Sequence, residues 1–86
     1  MQRTRRPTAP GEMLDLEFLD PMGLSPAQFD VKAGLAPGTT QKILDEDLKV
    51  SRDIAVCFSN ALGTSAEIWE GLQKGVDDFD AGFRDR

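Results

Sequence analysis

The sequence predicts an all-α domain of five helices with a helix-turn-helix at its centre. Three observations predict it. Apolar residues recur at steps of three and four along most of the chain, and no stretch reads convincingly as a strand. Two helix starts of the capping-box kind stand at Ser25-Pro26-Ala27-Gln28 and Thr64-Ser65-Ala66-Glu67. Gly34 and Gly63 follow apolar stretches, where a helix closes on a left-handed residue.

Helix one is expected from Pro10 to Leu19. Proline suits the first helical position and Glu12 complements the dipole. Leu14, Phe18 and Met22 recur at four-residue spacing with Leu19 beside them, and Pro21 and Gly23 end the helix. Helix two runs from the Ser25 cap to Ala33, with Leu24 and Phe29 as a hydrophobic staple; Gly34 turns the chain and Leu35 folds back into the core. Helix three is expected from Pro37 to Asp45, weakened in its first turn by Gly38, with Ile43 and Leu44 inward. An acidic loop, Asp45-Glu46-Asp47, follows. Helix four starts at Ser51 and carries the stripe Ile54, Ala55, Phe58, Ala61 and Leu62 up to Gly63. Helix five opens at the second capping box. Its stripe of Ile68, Leu72, Val76, Phe79 and Phe83 is long for so small a core, so part of it is a candidate oligomer seam. The helix-turn-helix domain thus spans 10–80, between a flexible basic arm over 1–9 and a short polar tail over 81–86.

With 86 residues and 40% hydrophobic residues the chain makes one modest core. No apolar run approaches the roughly 18 to 20 residues that would span a bilayer. No signal-peptide stretch follows the basic start, and a lone Cys57 makes no internal disulfide, so the expected location is the cytoplasm. The chain has no histidine and no tyrosine. A cysteine pair or histidine cluster for zinc, a glycine-rich phosphate loop and a histidine beside any nucleophile are all missing, which argues against an enzyme and implies no metal or cofactor. Cys57 reads as a small packed residue and Trp69 as a core anchor between helices four and five.

Charge is unevenly spread. The net charge is −5, yet Arg3, Arg5 and Arg6 precede every acid; the remaining 7 basic and 15 acidic residues leave the body at −8. Such a body repels a nucleic-acid backbone, whereas the arm attracts it.

Two short helices joined through Ala33-Gly34-Leu35 make the unit Ser25 to Asp45 a candidate DNA reader. Its second helix would enter the major groove with Gly38, Thr39, Gln41 and Lys42 outward. Gln41 suits adenine, Lys42 a guanine or a phosphate, and Thr39 a thymine methyl or a phosphate. Lys49, Arg52 and the arm's Arg3, Arg5 and Arg6 complete the candidate DNA contacts. Asp15, Glu17 and Asp20, with Asp77, Asp78 and Asp80, form two acidic faces, read either as solvated surface or as docking sites for a basic protein.

Three stretches carry a resemblance: Pro10-Gly11-Glu12-Met13-Leu14; Glu17-Phe18-Leu19-Asp20-Pro21-Met22-Gly23-Leu24-Ser25; and Ala61-Leu62-Gly63-Thr64-Ser65-Ala66-Glu67-Ile68-Trp69, closed by Leu72-Gln73. The chain resembles HigA-type (VapI-type) antitoxins from about Pro10 to Val76, without a gap between Ser25 and Trp69. The resemblance implies a phage-repressor-like fold, a dimer, repression of a shared promoter, and a toxin partner, typically a small basic ribonuclease of RelE-like fold. The chain departs from that pattern in four places. Asp30 stands where the family usually has alanine, on the close-packed face of helix two; a charge there is expected to disturb the helix pair unless it reaches solvent or a partner. Thr39 and Gln41 stand where arginine and asparagine are common. Asp45-Glu46-Asp47-Leu48-Lys49 replaces a loop resembling N-G-K-R-G, exchanging phosphate contacts for acids.

These residues support three readings: an antitoxin that binds its toxin and represses its operon; an interaction module that sequesters a basic partner without reading DNA; and a phage-type repressor with no toxin. The acidic loop and Asp30 separate the first two, and a basic protein encoded alongside separates the first from the third.

Overall fold

A computed structural model describes residues 6–84, with side chains over 6–82. Five helices make up the described residues, and no strand is present among them. Helix α1 spans 10–22 as Pro10–Leu14, a wide π turn Asp15–Leu19, and Asp20–Met22, running on without a break. It is followed by α2 (Pro26–Ala33), α3 (Thr39–Leu44), α4 (Arg52–Leu62) and α5 (Ala66–Arg84). The helix-turn-helix is α2 and α3; α1 packs on α3, and α5 packs along α4. No helix among the described residues is long and apolar enough to cross a membrane.

The core is aromatic. Trp69 of α5 is fully buried between Phe18 of α1, at 5.7 Å between ring centroids, and Phe58 of α4, at 5.0 Å edge-to-face. Phe58 meets Phe29 of α2 at 5.4 Å, so a continuous stack ties four helices together. Such pairs add about 0.5–1.5 kcal/mol each beyond the area they bury. Leu14, Leu19, Ile43, Val50 and Ala55 close around the stack.

Several boundaries differ from expectation, each for a local reason. Helix α1 does not stop at Leu19 but passes through Pro21 to Gly23, whose φ of 68° ends it. A proline ring presses on the carbonyl four residues back, here Glu17; that carbonyl lies in the π turn, where the bonding shifts to five residues, as from the Asp20 N–H to the Asp15 carbonyl. Helix α3 begins at Thr39 rather than Pro37, because Gly38 sits at φ 90° and is the cap, not a helical residue. The second capping signal is shifted by one. Ser65 accepts from the Ile68 N–H at 3.3 Å, while Thr64 is occupied by the buried indole: Trp69 Nε1 donates to its Oγ1 at 2.7 Å. The inner stripe of α5 runs through Trp69, half-buried Leu72 and Val76, which leaves Ile68 49% exposed. Helix α5 also continues past residue 80 to Arg84.

The remaining signals appear as read. Ser25 and Gln28 make the full reciprocal box, Ser25 Oγ accepting from the Gln28 N–H at 3.1 Å and Gln28 Oε1 from the Ser25 N–H at 2.8 Å. At the other end of α2, Gly34 takes φ 72° and the Leu35 N–H returns to the Asp30 carbonyl at 2.8 Å, so Leu35 packs back on the core.

Gly11 fixes how α1 meets α3. A Cβ there would stand 2.5 Å from the Ile43 carbonyl oxygen and 3.0 Å from Leu44 Cα. The two backbones touch at this point, and only a residue without a side chain lets them.

Candidate nucleic-acid interface

Helix α3 turns Thr40 and Ile43 inward, both buried, with half-buried Leu44 against the core. Its other face carries Gln41 and Lys42, both exposed, with Thr39 half exposed beside them and Gly38 exposed at the front. None of the four candidate readers is buried: Gly38, Gln41 and Lys42 lie on the outward side, and Thr39 stands on the flank.

Asp30 departs from expectation. It is 3% exposed and does not disturb the helix pair. Its Oδ2 accepts from the Gly38 N–H at 2.8 Å, and its Oδ1 accepts from the Thr40 N–H at 2.8 Å and from Thr40 Oγ1 at 2.6 Å. The carboxylate therefore caps the N-terminus of α3 from the preceding helix, where the dipole and the unpaired amides favour an anion. Gly38 has no side chain to do this, and its positive φ accompanies an N–H turned back towards α2. No polar side-chain atom is left buried and unbonded among the described residues. The sequence signal was present: an acid eight and ten residues ahead of a glycine and a threonine, across a tight turn.

The other end of α3 is acidic and open. Asp45, Glu46 and Asp47 are all exposed. Asp45 Oδ1 accepts from the Gln41 side-chain amide at 3.0 Å, so one candidate reader is held by the loop. Glu46 adopts φ 62°, the only non-glycine residue at positive φ among those described, at the position where the resembling loop has glycine.

The flanking cations are engaged. Lys49 meets Asp77 at 3.1 Å and Arg52 meets Glu70 at 3.0 Å, both pairs reaching onto α5. Arg6 does not extend from the domain. Its guanidinium makes two contacts to Glu46, at 2.8 and 3.1 Å, and two to Asp80, at 3.0 and 3.1 Å, linking the arm, the acidic loop and α5. The Asp80 hydrogen bonds, then those to Glu46, hold its pKa above the usual arginine range. The described end of the arm is thus fastened: Ala9 is buried, and its N–H is accepted by Glu12 Oε1 at 3.1 Å. Arg3 and Arg5 lie outside the described residues.

The two acidic faces differ. On α5, Asp77 holds Lys49 and the Gln73 amide, Asp78 holds Lys74 at 2.9 Å, and Asp80 holds Arg6. On α1, Asp15, Glu17 and Asp20 are exposed with no ion pair among the described residues, and they surround Leu16, which is 62% exposed. Asp15, Leu16 and Asp20 also border a shallow groove closed by Leu19, Leu24 and Gln28. Among the described residues no group of three or more Cys, Asp or Glu side chains gathers to hold a metal ion.

The HigA-1 antitoxin of Vibrio cholerae is 33% identical over 81 residues, covering 93% of this chain and 76% of its own. The chain belongs to the HigA antitoxin family. No family profile matches it. Among solved structures, the antitoxin GraA superposes with a TM-score of 0.89 at 38% identity, over 94% of this chain and 87% of its own. A Pseudomonas aeruginosa HigA solved with the higBA promoter superposes at 0.84 and 33% identity, over 88% of this chain and 83% of its own. The HigA relatives are antitoxins rather than enzymes.

Proposed function

We propose that this chain is the antitoxin of a type II toxin–antitoxin pair, which neutralises its toxin by direct binding and represses the shared operon by occupying promoter DNA. One observation carries the DNA half: α3 turns Gln41 and Lys42 outward, with Thr39 beside them, on the backbone of a relative solved with promoter DNA. A dimer would set two such helices about 34 Å apart, one turn of DNA. Exposed Ile68, left outside the inner stripe of α5, is a candidate part of that seam. The action is occlusion, with no catalytic residue and no cofactor, and its expected setting is the cytoplasm.

For the toxin, the α1 face is the preferred dock. Asp15, Glu17 and Asp20 are uncommitted and ring an apolar Leu16, a pattern complementary to a small basic ribonuclease of RelE-like fold. Asp77 and Asp78 are secondary candidates, since each already holds a lysine.

A second reading, partner sequestration without DNA reading, is favoured by the acidic loop and by the tie between Gln41 and Asp45. The deciding experiment titrates the protein with DNA from upstream of its own gene and with the same fragment scrambled, across a salt series. Tighter binding to the native fragment, weakening steeply with salt, is expected of the repressor. Equal binding to both, with and without toxin, would make sequestration the function.

A further inference from the structure

Helix α3 has six residues, far fewer than the roughly 12 to 15 that give an isolated helix marginal stability, so its pose is set by what grips it. At the C-terminal end the grip is the backbone contact with Gly11. At the N-terminal end it is Asp30. The two carboxylate oxygens pull in two directions, Oδ2 on the Gly38 N–H and Oδ1 on both the N–H and the hydroxyl of Thr40. Bonds to a backbone amide and to the side chain of one residue restrain the rotation of a helix about its own axis, not only its end point. Thr39 lies between the two gripped residues and is half exposed, and Gln41 and Lys42 follow on the open face.

We infer that Asp30 is a positioning residue for sequence reading: its buried carboxylate sets the rotation at which α3 presents Thr39, Gln41 and Lys42 to the bases. This rests on the operator-binding reading above. The carboxylate also has a negative consequence. It occupies two amides at the front of α3 and puts an anion there, which leaves that helix end unsuited to a phosphate. Discrimination then falls on the side chains, whose aim the same carboxylate controls.

Asp30→Asn keeps the size and one acceptor but cannot accept from both Gly38 and Thr40. Thr40→Val keeps the shape and removes only the hydroxyl donor. The readout is the ratio of affinities for the native and scrambled upstream fragments, because a fall in the folded fraction weakens both equally and leaves the ratio unchanged. The ratio is expected to fall about tenfold in Asp30→Asn, the scale of one misplaced base contact, with scrambled-fragment affinity unchanged or raised. Thr40→Val is expected to lower it less. Proportional loss on both fragments in both variants would overturn the inference and make Asp30 purely structural. Absence of any preference in the unsubstituted protein, with or without toxin, would overturn the operator reading and this inference together.

Discussion

The two ends of α3 carry acids with opposite fates. At the N-terminus, Asp30 is buried and makes three hydrogen bonds; at the C-terminus, Asp45, Glu46 and Asp47 stand in solvent. The peptide dipoles explain the asymmetry. An anion meets unpaired N–H groups and positive potential at the front of a helix, and unpaired carbonyls and negative potential at the back. Burial is thus tolerable at one end, while at the other each acid needs water or a cation. Glu46 takes the cation, accepting Arg6 from a position with φ 62°. An acid beside α3 is therefore not one kind of feature: inside the fold it organises the helix, and outside it would oppose the phosphates of any DNA brought to that helix.

The largest effect should come from the front. Asp30→Ala leaves two amides and a hydroxyl without their acceptor and is expected to cost about 3 kcal/mol. That is roughly a 15 °C fall in midpoint for a domain of this size, read by thermal unfolding. A loss under about 1 kcal/mol would mean that water replaces the carboxylate and that the cap is dispensable.

Next is the seat of the C-terminal half. Gly11→Ala drives a methyl into the Ile43 carbonyl and is expected to destabilise by about 2 kcal/mol, since backbone, unlike a flexible side chain, cannot step aside. An unchanged midpoint would show that α1 can slide off α3 without penalty.

Neutralising the back end with Asp45→Asn, Glu46→Gln and Asp47→Asn should change stability by less than about 1 kcal/mol, because these groups are exposed. Its effect should appear in DNA titrations, as tighter binding at low salt to native and scrambled fragments alike. Affinity unchanged on both would place the loop away from the phosphates. The smallest effect belongs to Glu46→Gly. It relieves roughly 1 kcal/mol of left-handed strain and gives up an exposed ion pair worth about as much. Denaturant titration should find it near neutral at low salt and more stable than the parent at high salt, where the pair is screened.

Most of the fold was legible because it rests on local signals. The Ser25 and Gln28 box, the Gly34 and Gly63 stops and the α4 stripe need only neighbours within four residues. What was missed depends on groups brought together from farther away or competing for one partner. Asp30 looked disruptive because its partners lie beyond the turn. Thr64 was read as a cap because its claim by the Trp69 indole is a tertiary demand. Pro21 was read as a stop because the π turn that accommodates it leaves no composition signal. Of the candidate site, Gly38, Gln41 and Lys42 are exposed and Thr39 half-exposed, whereas the ties on Arg6, Lys49 and Arg52 were invisible in a sequence that states charge but not pairing.

The aromatic stack has a practical corollary. Trp69 is the single tryptophan of a chain without tyrosine, enclosed by Phe18, Phe58 and the Thr64 hydroxyl. Its fluorescence is therefore an optical gauge of packing at the junction of α1, α4 and α5. A shift in its emission on ligand binding would report a change of packing at that junction, whichever surface the ligand meets.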